Sequence, residues 1–209
     1  MKKIAIIGGG GLAKEFIEVL EMCGDSLYGI FSRENHLKNL PYHGYLDELL
    51  VLKDEFDAVV LAVGGVNSEG MANRKALIAF LSENSIPLVT LISPNTTISK
   101  SAVIGKGCYV HHLSAISCDA HIGAYTMVNT AAMIGHDVHI GENCSISPRA
   151  FIGGNVTIGS NTLIGAGALL KQGITIGEGC IIGMGTIVQR SMPEHTLLTH
   201  NLTKPVSLQ

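Results

Sequence analysis

An aliphatic residue recurs at every sixth position over almost half of this 209-residue chain. The series begins at Ile98, ends at Val188, and contains no insertion or deletion. Its sixteen members are Ile98, Ile104, Val110, Ile116, Ile122, Val128, Ile134, Ile140, Ile146, Ile152, Ile158, Ile164, Leu170, Ile176, Ile182 and Val188. A short, fixed period kept over such a length is typical of a solenoid, and a period of six residues indicates a parallel β-helix.

Two further positions of each hexad are restricted in size. The residue directly after the aliphatic one is often glycine, as at Gly105, Gly123 and Gly135, and the residue four places after it is usually small. Small residues suit a coil where the chain turns sharply and neighbouring backbones approach each other closely. Three hexads make one triangular turn, so residues 98–193 predict about five stacked coils whose parallel strands pair with those of their neighbours.

Three of the five cysteines occupy this small position. Cys108, Cys144 and Cys180 are spaced by two coils, which separates successive thiols by about 10 Å at the usual strand spacing. A disulfide needs Cα atoms within about 7 Å of each other. We therefore predict that these cysteines are small apolar fillers of the core.

The first ninety residues carry a different pattern. Residues 4–7 form a continuous apolar run that predicts a buried parallel strand, four glycines follow, and residues 12–22 have the period of a helix. This order resembles the opening of a Rossmann-type unit, in which the helix N-terminus can hold a phosphate. Further strands are predicted at 27–31, 58–63 and 87–91, and further helices at 45–52 and 72–83. The pattern predicts a small α/β unit with four parallel strands.

A short segment separates the two patterns. Residues 92–97 contain Pro94-Asn95, a pair that breaks regular structure. The predicted organisation is an α/β Rossmann-like domain at 1–91, a linker at 92–97, an all-β parallel β-helix at 98–193 and a tail at 194–209.

The glycine loop has two interpretations. Glycines can serve only to pack a helix closely on a strand, or they can let a phosphate approach the backbone. The acidic residue that usually binds a ribose at the end of the second strand is replaced by Ser32-Arg33. This replacement argues against a nicotinamide dehydrogenase and remains compatible with a nucleotide bound in another way.

The composition excludes several functions. The net charge of −3 provides no electrostatic basis for binding nucleic acid. The apolar run near the N-terminus ends at the glycines and is too short for a signal peptide or a membrane span. We therefore expect a cytoplasmic protein that acts on small molecules.

The hexads also resemble those of a known family. Sequences such as Ile140-Gly-Glu-Asn-Cys-Ser and Ile158-Gly-Ser-Asn-Thr-Leu are similar to those of the hexapeptide-repeat acyltransferases. That resemblance implies a left-handed coil, a homotrimer and active sites between subunits, whereas the spacing alone does not give the hand.

The combination of domains narrows the resemblance. A Rossmann-like domain followed by an uninterrupted hexapeptide β-helix resembles, over essentially the whole chain, the bacterial sugar acetyltransferases of glycan biosynthesis. One branch N-acetylates nucleotide-linked amino sugars, and another O-acetylates sialic acids. In the amino-sugar branch the first domain holds the nucleotide, the β-helix holds acetyl-CoA, and the two meet near one histidine.

The stretch from Asn129-Thr130 to His136-Asp137 resembles the family's Asn-Thr pair followed by Ile-x-His and an acidic residue. By that resemblance His136 is the general base, and Asp137 holds the imidazole in the required tautomer. Gly154 follows His136 by one coil at the same corner, where its N–H can stabilise an oxyanion.

The resemblance implies two sets of binding residues. For acetyl-CoA they are Ser147, Gly154, Ala166, Gly183, Met184 and Lys204. For the sugar nucleotide they are Gly8, Gly10, Gly11, Leu12, Ser32, Arg33, Gly64, Asn129 and Thr130.

Three positions depart from the family pattern. Leu12 replaces a histidine in the glycine loop, Ser145 replaces a second histidine in the coil after the base, and only Lys204 remains of the closing Gly-x-Pro-Ala-Lys. The first two departures keep O-acetylation of a sialic acid or a related nonulosonic acid open as an alternative.

Four histidines raise a metal site as another alternative, since γ-class carbonic anhydrases of this fold hold zinc with three histidines. They are His111, His112, His121 and His139, of which the last two are predicted to stack in one column. Those anhydrases lack the N-terminal domain, so we expect surface histidines and no metal.

A catalytically silent trimeric scaffold that binds a nucleotide is a third alternative, and the His136-Asp137 pair argues against it. The sequence therefore predicts an acetyl-CoA-dependent N-acetyltransferase that acts on a nucleotide-linked amino sugar.

Overall fold

The computed structural model of the chain describes residues 1–199. The chain begins with an α/β unit whose three parallel strands have the order β2-β1-β3. Its elements are β1 (Lys3–Ile7), α1 (Gly11–Met22), β2 (Ser26–Phe31), α2 (Leu46–Val51), β3 (Ala58–Leu61) and α3 (Ser68–Glu83). Because the strands are parallel, their carboxyl ends meet at one edge, directly before the glycine loop.

Two element predictions for this unit need correction. The fourth strand, predicted at 87–91, contributes only a single bridge between Val59 and Leu88, because the chain then turns away to start the β-helix. The last helix begins at Ser68 rather than at residue 72, because the Asn67 side chain accepts a hydrogen bond from the Gly70 N–H at 2.8 Å and caps it.

The remaining strands have two residues each and form three parallel sheets, which we call faces 1, 2 and 3. Face 1 consists of β4 (Leu91–Ile92), β7 (Tyr109–Val110), β10 (Met127–Val128), β13 (Ser145–Ile146), β16 (Leu163–Ile164), β19 (Ile181–Ile182) and β21 (Leu197–Leu198). Face 2 consists of β5 (Thr97–Ile98), β8 (Ala115–Ile116), β11 (Met133–Ile134), β14 (Phe151–Ile152), β17 (Leu169–Leu170) and β20 (Ile187–Val188). Face 3 consists of β6 (Val103–Ile104), β9 (His121–Ile122), β12 (His139–Ile140), β15 (Thr157–Ile158) and β18 (Thr175–Ile176).

The hexapeptide β-helix is confirmed. All sixteen aliphatic residues stand second in their strands, and each one lies in the interior of the β-helix or packs against its buried core. Cys108, Cys144 and Cys180 are buried in the same core as free thiols, as predicted. Glycine is required after the aliphatic residue, since a Cβ at Gly135 would lie 2.6 Å from the Gly154 nitrogen of the next coil.

The β-helix is longer at both ends than the sequence predicts. The residues expected to be a linker, 92–97, belong to the first coil, because the Ser93 N–H donates to the Val110 carbonyl at 2.8 Å. At the other end, β21 pairs with β19 beyond the predicted limit at residue 193.

The α/β unit packs on face 1. The Phe16 ring of α1 stacks on Tyr109 with centroids 3.7 Å apart. The buried Arg74 of α3 donates to the carbonyls of Val63 and Tyr125, both at 2.7 Å. Burial lowers the pKa of Arg74 to about 10, so its charge persists at neutral pH while it joins the two parts of the chain. Within the described residues, no helix combines the length and hydropathy needed to span a bilayer.

Candidate active site

His136 and Asp137 stand at the corner between face 2 and face 3, directly after β11 and before β12. Asp137 has a left-handed backbone with φ of 56°, a conformation that aspartate tolerates better than most residues. The coils on either side fix this corner. The Asp137 N–H donates to the Cys118 carbonyl at 3.1 Å, and the His136 carbonyl accepts from the Asn155 N–H at 2.8 Å.

The two side chains contact each other, as the sequence predicts. The distance from His136 Nδ1 to Asp137 Oδ2 is 2.7 Å, and each side chain is about half exposed. A proton on Nδ1 that is donated to the carboxylate leaves the lone pair on Nε2, where it can accept a proton from a bound molecule. The carboxylate also stabilises the imidazolium that this transfer creates.

Gly154 lies directly against the His136 ring. A Cβ at this position would lie 2.5 Å from His136 Nε2, so the imidazole occupies space that only glycine leaves free. The basic nitrogen of His136 and the backbone of Gly154 are therefore neighbours at this corner. An imidazole can accept a proton, and a backbone N–H aimed at the same substrate can stabilise an oxyanion.

Gly154→Ala should lower the turnover number by about 100-fold while the protein remains folded, because displacing a catalytic group by about 1 Å has effects of this order. The added methyl would meet the mobile end of the His136 side chain rather than backbone, so the ring moves and the coil does not. Steady-state kinetics measures the turnover number, and thermal melting shows whether the protein remains folded.

Gln172→Ala is the matched control, since Gln172 is exposed at the same corner one coil further on. It should keep the wild-type rate. An unchanged rate in Gly154→Ala would show that the position of the His136 ring does not matter for turnover.

The residues proposed for acetyl-CoA are divided between two edges. Ser147, Ala166, Gly183 and Met184 follow strands of face 1 and lie along the corner between faces 1 and 2. Gly154 lies at the other edge of face 2. Lys204 is outside the described residues.

Several residues proposed for the nucleotide converge at the carboxyl edge of the three-stranded sheet. A Cβ at Gly9 would lie 2.5 Å from the Ser32 Oγ, and one at Gly64 would lie 3.8 Å from the Leu12 side chain. The buried Ser32 hydroxyl donates to the Glu34 carbonyl at 2.7 Å. The guanidinium of Arg33 lies over the Tyr45 ring, 5.5 Å from its centroid.

The structure separates the glycines of the loop into two kinds. Gly8 has φ of +116°, and a Cβ there would lie 2.4 Å from the Ala62 carbonyl oxygen, so its role is steric. Gly10 and Gly11 are exposed and have no heavy atom within 4 Å of an added Cβ. The open space above the start of α1 is therefore the part of the loop that can receive a phosphate.

These glycines should respond differently to substitution. Gly8→Ala should lower the free energy of unfolding by about 2 kcal/mol or more, because a backbone atom blocks the methyl. Gly11→Ala should leave stability unchanged or slightly raised, because alanine favours a helix. We expect Gly11→Ala to weaken nucleotide binding instead. Urea denaturation and calorimetric titration measure the two effects, and equal destabilisation by both variants would contradict this division.

Asn129 and Thr130 lie at the corner between faces 1 and 2, beside the α/β unit. Asn129 is buried, and the Thr130 hydroxyl shares a hydrogen bond with Nδ1 of His111. His111 is itself only 6% exposed, because α1 covers it, with Glu15 Oε2 lying 3.9 Å from its Nε2. The hexads do not predict that α1 covers His111, because nothing in them indicates which face a helix will occupy.

The expectation of surface histidines is therefore only partly correct. His121 and His139 are exposed and stack as predicted, with ring centroids 4.8 Å apart. His111 and His112 are covered by α1 instead. Among residues 1–199, no three histidine, cysteine, aspartate or glutamate side chains are arranged to hold a metal ion.

Two family models match the sequence. The bacterial transferase hexapeptide model matches residues 155–190, and the model of the GMPPB C-terminal domain matches residues 80–164. No curated protein sequence matches the chain.

Solved structures match nearly the whole chain. A histidine mutant of perosamine N-acetyltransferase from Caulobacter crescentus, in complex with CoA and GDP-perosamine, is 30% identical with a TM-score of 0.89, and the match covers 96% of this chain and 94% of that chain. The acetyltransferase domain of PglB from Neisseria gonorrhoeae FA1090, in complex with acetyl coenzyme A, is 27% identical with a TM-score of 0.83, covering 98% of this chain and 99% of that chain. WeeI from Acinetobacter baumannii AYE shares the fold at 24% identity and a TM-score of 0.84, covering 98% of this chain and 99% of that chain.

The hexapeptide model, the β-helix and this full-length similarity agree with one another. The chain belongs to the hexapeptide-repeat sugar acetyltransferases.

Proposed function

We propose that the protein transfers the acetyl group of acetyl-CoA to the amino group of a nucleotide-linked amino sugar, in the cytoplasmic part of bacterial surface-glycan biosynthesis. The observation that carries this proposal is the full-length similarity to a perosamine N-acetyltransferase bound to CoA and GDP-perosamine. Release of CoA thiol in the presence of nucleotide-linked amino sugars tests it, and no release with any of them would reject it.

His136 is the general base of the reaction. The sugar amine attacks the thioester carbonyl, a C–N bond forms, and Nε2 takes the proton that the amine loses. The C–S bond then breaks, and the proton passes from the imidazolium to the leaving thiolate of CoA. Asp137, 2.7 Å from Nδ1, stabilises the imidazolium between these steps. The Gly154 N–H stabilises the oxyanion of the tetrahedral intermediate.

The two parts of the chain bind the two substrates. Residues 1–91 form a Rossmann-like domain in which Gly10, Gly11 and the start of α1 receive the diphosphate. The β-helix, left-handed as in the family, holds acetyl-CoA along the corner that carries Ser147, Ala166 and Met184.

A single chain does not bring these substrates together at His136. The α/β unit lies on face 1, whereas His136 stands at the corner between faces 2 and 3. Assembly into a homotrimer, with face 2 buried between subunits, supplies the missing proximity. Four of the six outward residues of face 2 support this assembly, because they form an apolar stripe of Met133, Phe151, Leu169 and Ile187, each between 42% and 57% exposed.

Phe151→Lys should dissociate the trimer and reduce activity with it, because a charge would be buried in an apolar interface. Light scattering coupled to gel filtration gives the mass of the assembly. Thr157→Lys is the control, since Thr157 is exposed in the same coil on face 3. A trimer that survives Phe151→Lys would show that subunits do not meet through face 2.

A further inference from the structure

A hydroxyl–imidazole–carboxylate chain lies where α1 meets the β-helix. The Thr130 hydroxyl shares a hydrogen bond with His111 Nδ1, and His111 Nε2 faces Glu15 Oε2 at 3.9 Å. Glu15 belongs to α1, so this chain of contacts joins the α/β unit to the corner between faces 1 and 2.

A second chain of the same composition lies beside the first. The Ser93 hydroxyl shares a hydrogen bond with His112 Nδ1, and His112 Nε2 faces Glu18 Oε1 at 3.8 Å. The two imidazoles are 4.4 Å apart between centroids. We call Glu15, Glu18, His111 and His112 the Glu–His cluster.

The cluster has buried polar atoms without partners. Nε2 of His111 and Nε2 of His112 are buried and have no hydrogen-bond partner among the described residues, and the same holds for the nearby Tyr109 hydroxyl. Distances of 3.8 and 3.9 Å to the carboxylates are too long for hydrogen bonds. Buried polar groups of a native protein are nearly always hydrogen-bonded, so three unpaired ones together need an explanation.

The carboxylates above these atoms are accessible. The side chains of Glu15 and Glu18 are 50% and 66% exposed, whereas that of His111 is 7% exposed. The cluster thus presents two accessible carboxylates to a ligand, with the imidazole nitrogens buried beneath them.

The Glu–His cluster lies between two groups of residues that we propose to bind the acceptor. Glu15 follows Gly11 by about one helical turn, and His111 lies one coil below Asn129. A nucleotide sugar with its diphosphate at the start of α1 and its sugar at Asn129-Thr130 therefore passes the Glu–His cluster.

The chemistry of the cluster selects among sugars. Carboxylates accept hydrogen bonds, and sugar-ring hydroxyls donate them. Burial and the neighbouring charge of Glu18 raise the pKa of Glu15, so negative charge is already crowded here. A sugar that carries its own carboxylate would be repelled.

The geometry points to the Glu–His cluster as the acceptor-sugar subsite, which binds the ring hydroxyls of an uncarboxylated amino sugar and excludes carboxylated sugars. This inference rests on the proposed function and specifies its acceptor class.

The test compares the wild-type protein with the double variant Glu15→Gln, Glu18→Gln. Glu21→Gln is the matched control, because Glu21 is an exposed carboxylate of the same helix outside the cluster. Each protein is assayed for the KM of the amino-sugar acceptor and of acetyl-CoA. Inhibition constants are measured for a matched pair of nucleotide sugars, such as UDP-glucose and UDP-glucuronate or GDP-mannose and GDP-mannuronate.

We expect the wild-type protein and Glu21→Gln to bind the uncarboxylated inhibitor at least 10-fold more tightly than the carboxylated one. In the double variant this ratio should fall to about one, and the acceptor KM should rise by about 10-fold to 100-fold, as loss of charged hydrogen bonds predicts. The KM of acetyl-CoA should not change, which also shows that the variant is folded.

An inhibitor ratio that the double variant preserves would overturn this inference alone, since acetyl transfer would still support the proposed function. A wild-type protein that acetylates no amino sugar would overturn both.

Discussion

Replacing His136 with alanine should lower the turnover number of acetyl transfer by a factor of about 10² to 10⁴, the usual contribution of a general base. The variant lacks the Nε2 atom that accepts the amine proton. The side chain is half exposed and supports no core packing, so stability and assembly should not change. Steady-state release of CoA gives the rate, and gel filtration and thermal melting verify the fold.

Two further variants sharpen this prediction. Asp137→Ala should lower the rate less, because the imidazole remains as the base while its carboxylate partner is lost. His139→Ala should keep the wild-type rate, since His139 is exposed on face 3 and its Nδ1 contacts only the Asp137 carbonyl at 3.2 Å. A wild-type rate in His136→Ala would remove His136 as the base. Unchanged cellular function of His136→Ala would favour a non-catalytic nucleotide-binding scaffold.

Ile152→Asn should lower the free energy of unfolding by about 3–5 kcal/mol, because it both loses apolar burial and buries an amide without partners. Ile152 is fully buried and lies between Ile134 and Leu170 of the neighbouring coils. The inward aliphatic residues of successive coils form one continuous column, so the coil cannot shift to move the amide out of the core. Urea denaturation at several protein concentrations measures the change and separates it from subunit dissociation.

Thr157→Asn provides the control, since Thr157 is exposed on face 3 of the same coil. Its effect should stay within about 0.5 kcal/mol. Equal stability of Ile152→Asn and Thr157→Asn would mean that the sixth-residue series does not form the core.

The β-helix was predictable because its information is local and repeated. Each hexad from Ile98 onwards specifies an inward aliphatic residue and a small residue at the turn, and the same solution recurs in every coil. The contact between His136 and Asp137 followed from two adjacent residues at one corner. Agreement among repeats made this part of the sequence unusually informative.

The contacts between the two parts of the chain were not predictable in the same way. No sequence pattern marks Arg74, although it is buried and donates a hydrogen bond to the Tyr125 carbonyl across the junction. His111 resembles any outward residue until α1 is placed over it. The sequence predicts Leu91 in the sheet of the α/β unit, yet it pairs with Tyr109 in the β-helix, because a strand of two residues is too short to show a period. Such contacts depend on which surfaces meet, and no repeat in the sequence records them.

The most direct test of the proposed function is the release of CoA by the purified protein from acetyl-CoA and a panel of acceptors. The panel holds GDP-, UDP- and dTDP-linked 4-amino sugars beside free and CMP-linked sialic acids. We expect rapid release with one nucleotide-linked amino sugar and none with sialic acids, and the active compound identifies the nucleotide that the glycine loop accepts. Release with sialic acids alone would contradict the N-acetyltransferase assignment and establish O-acetylation in its place.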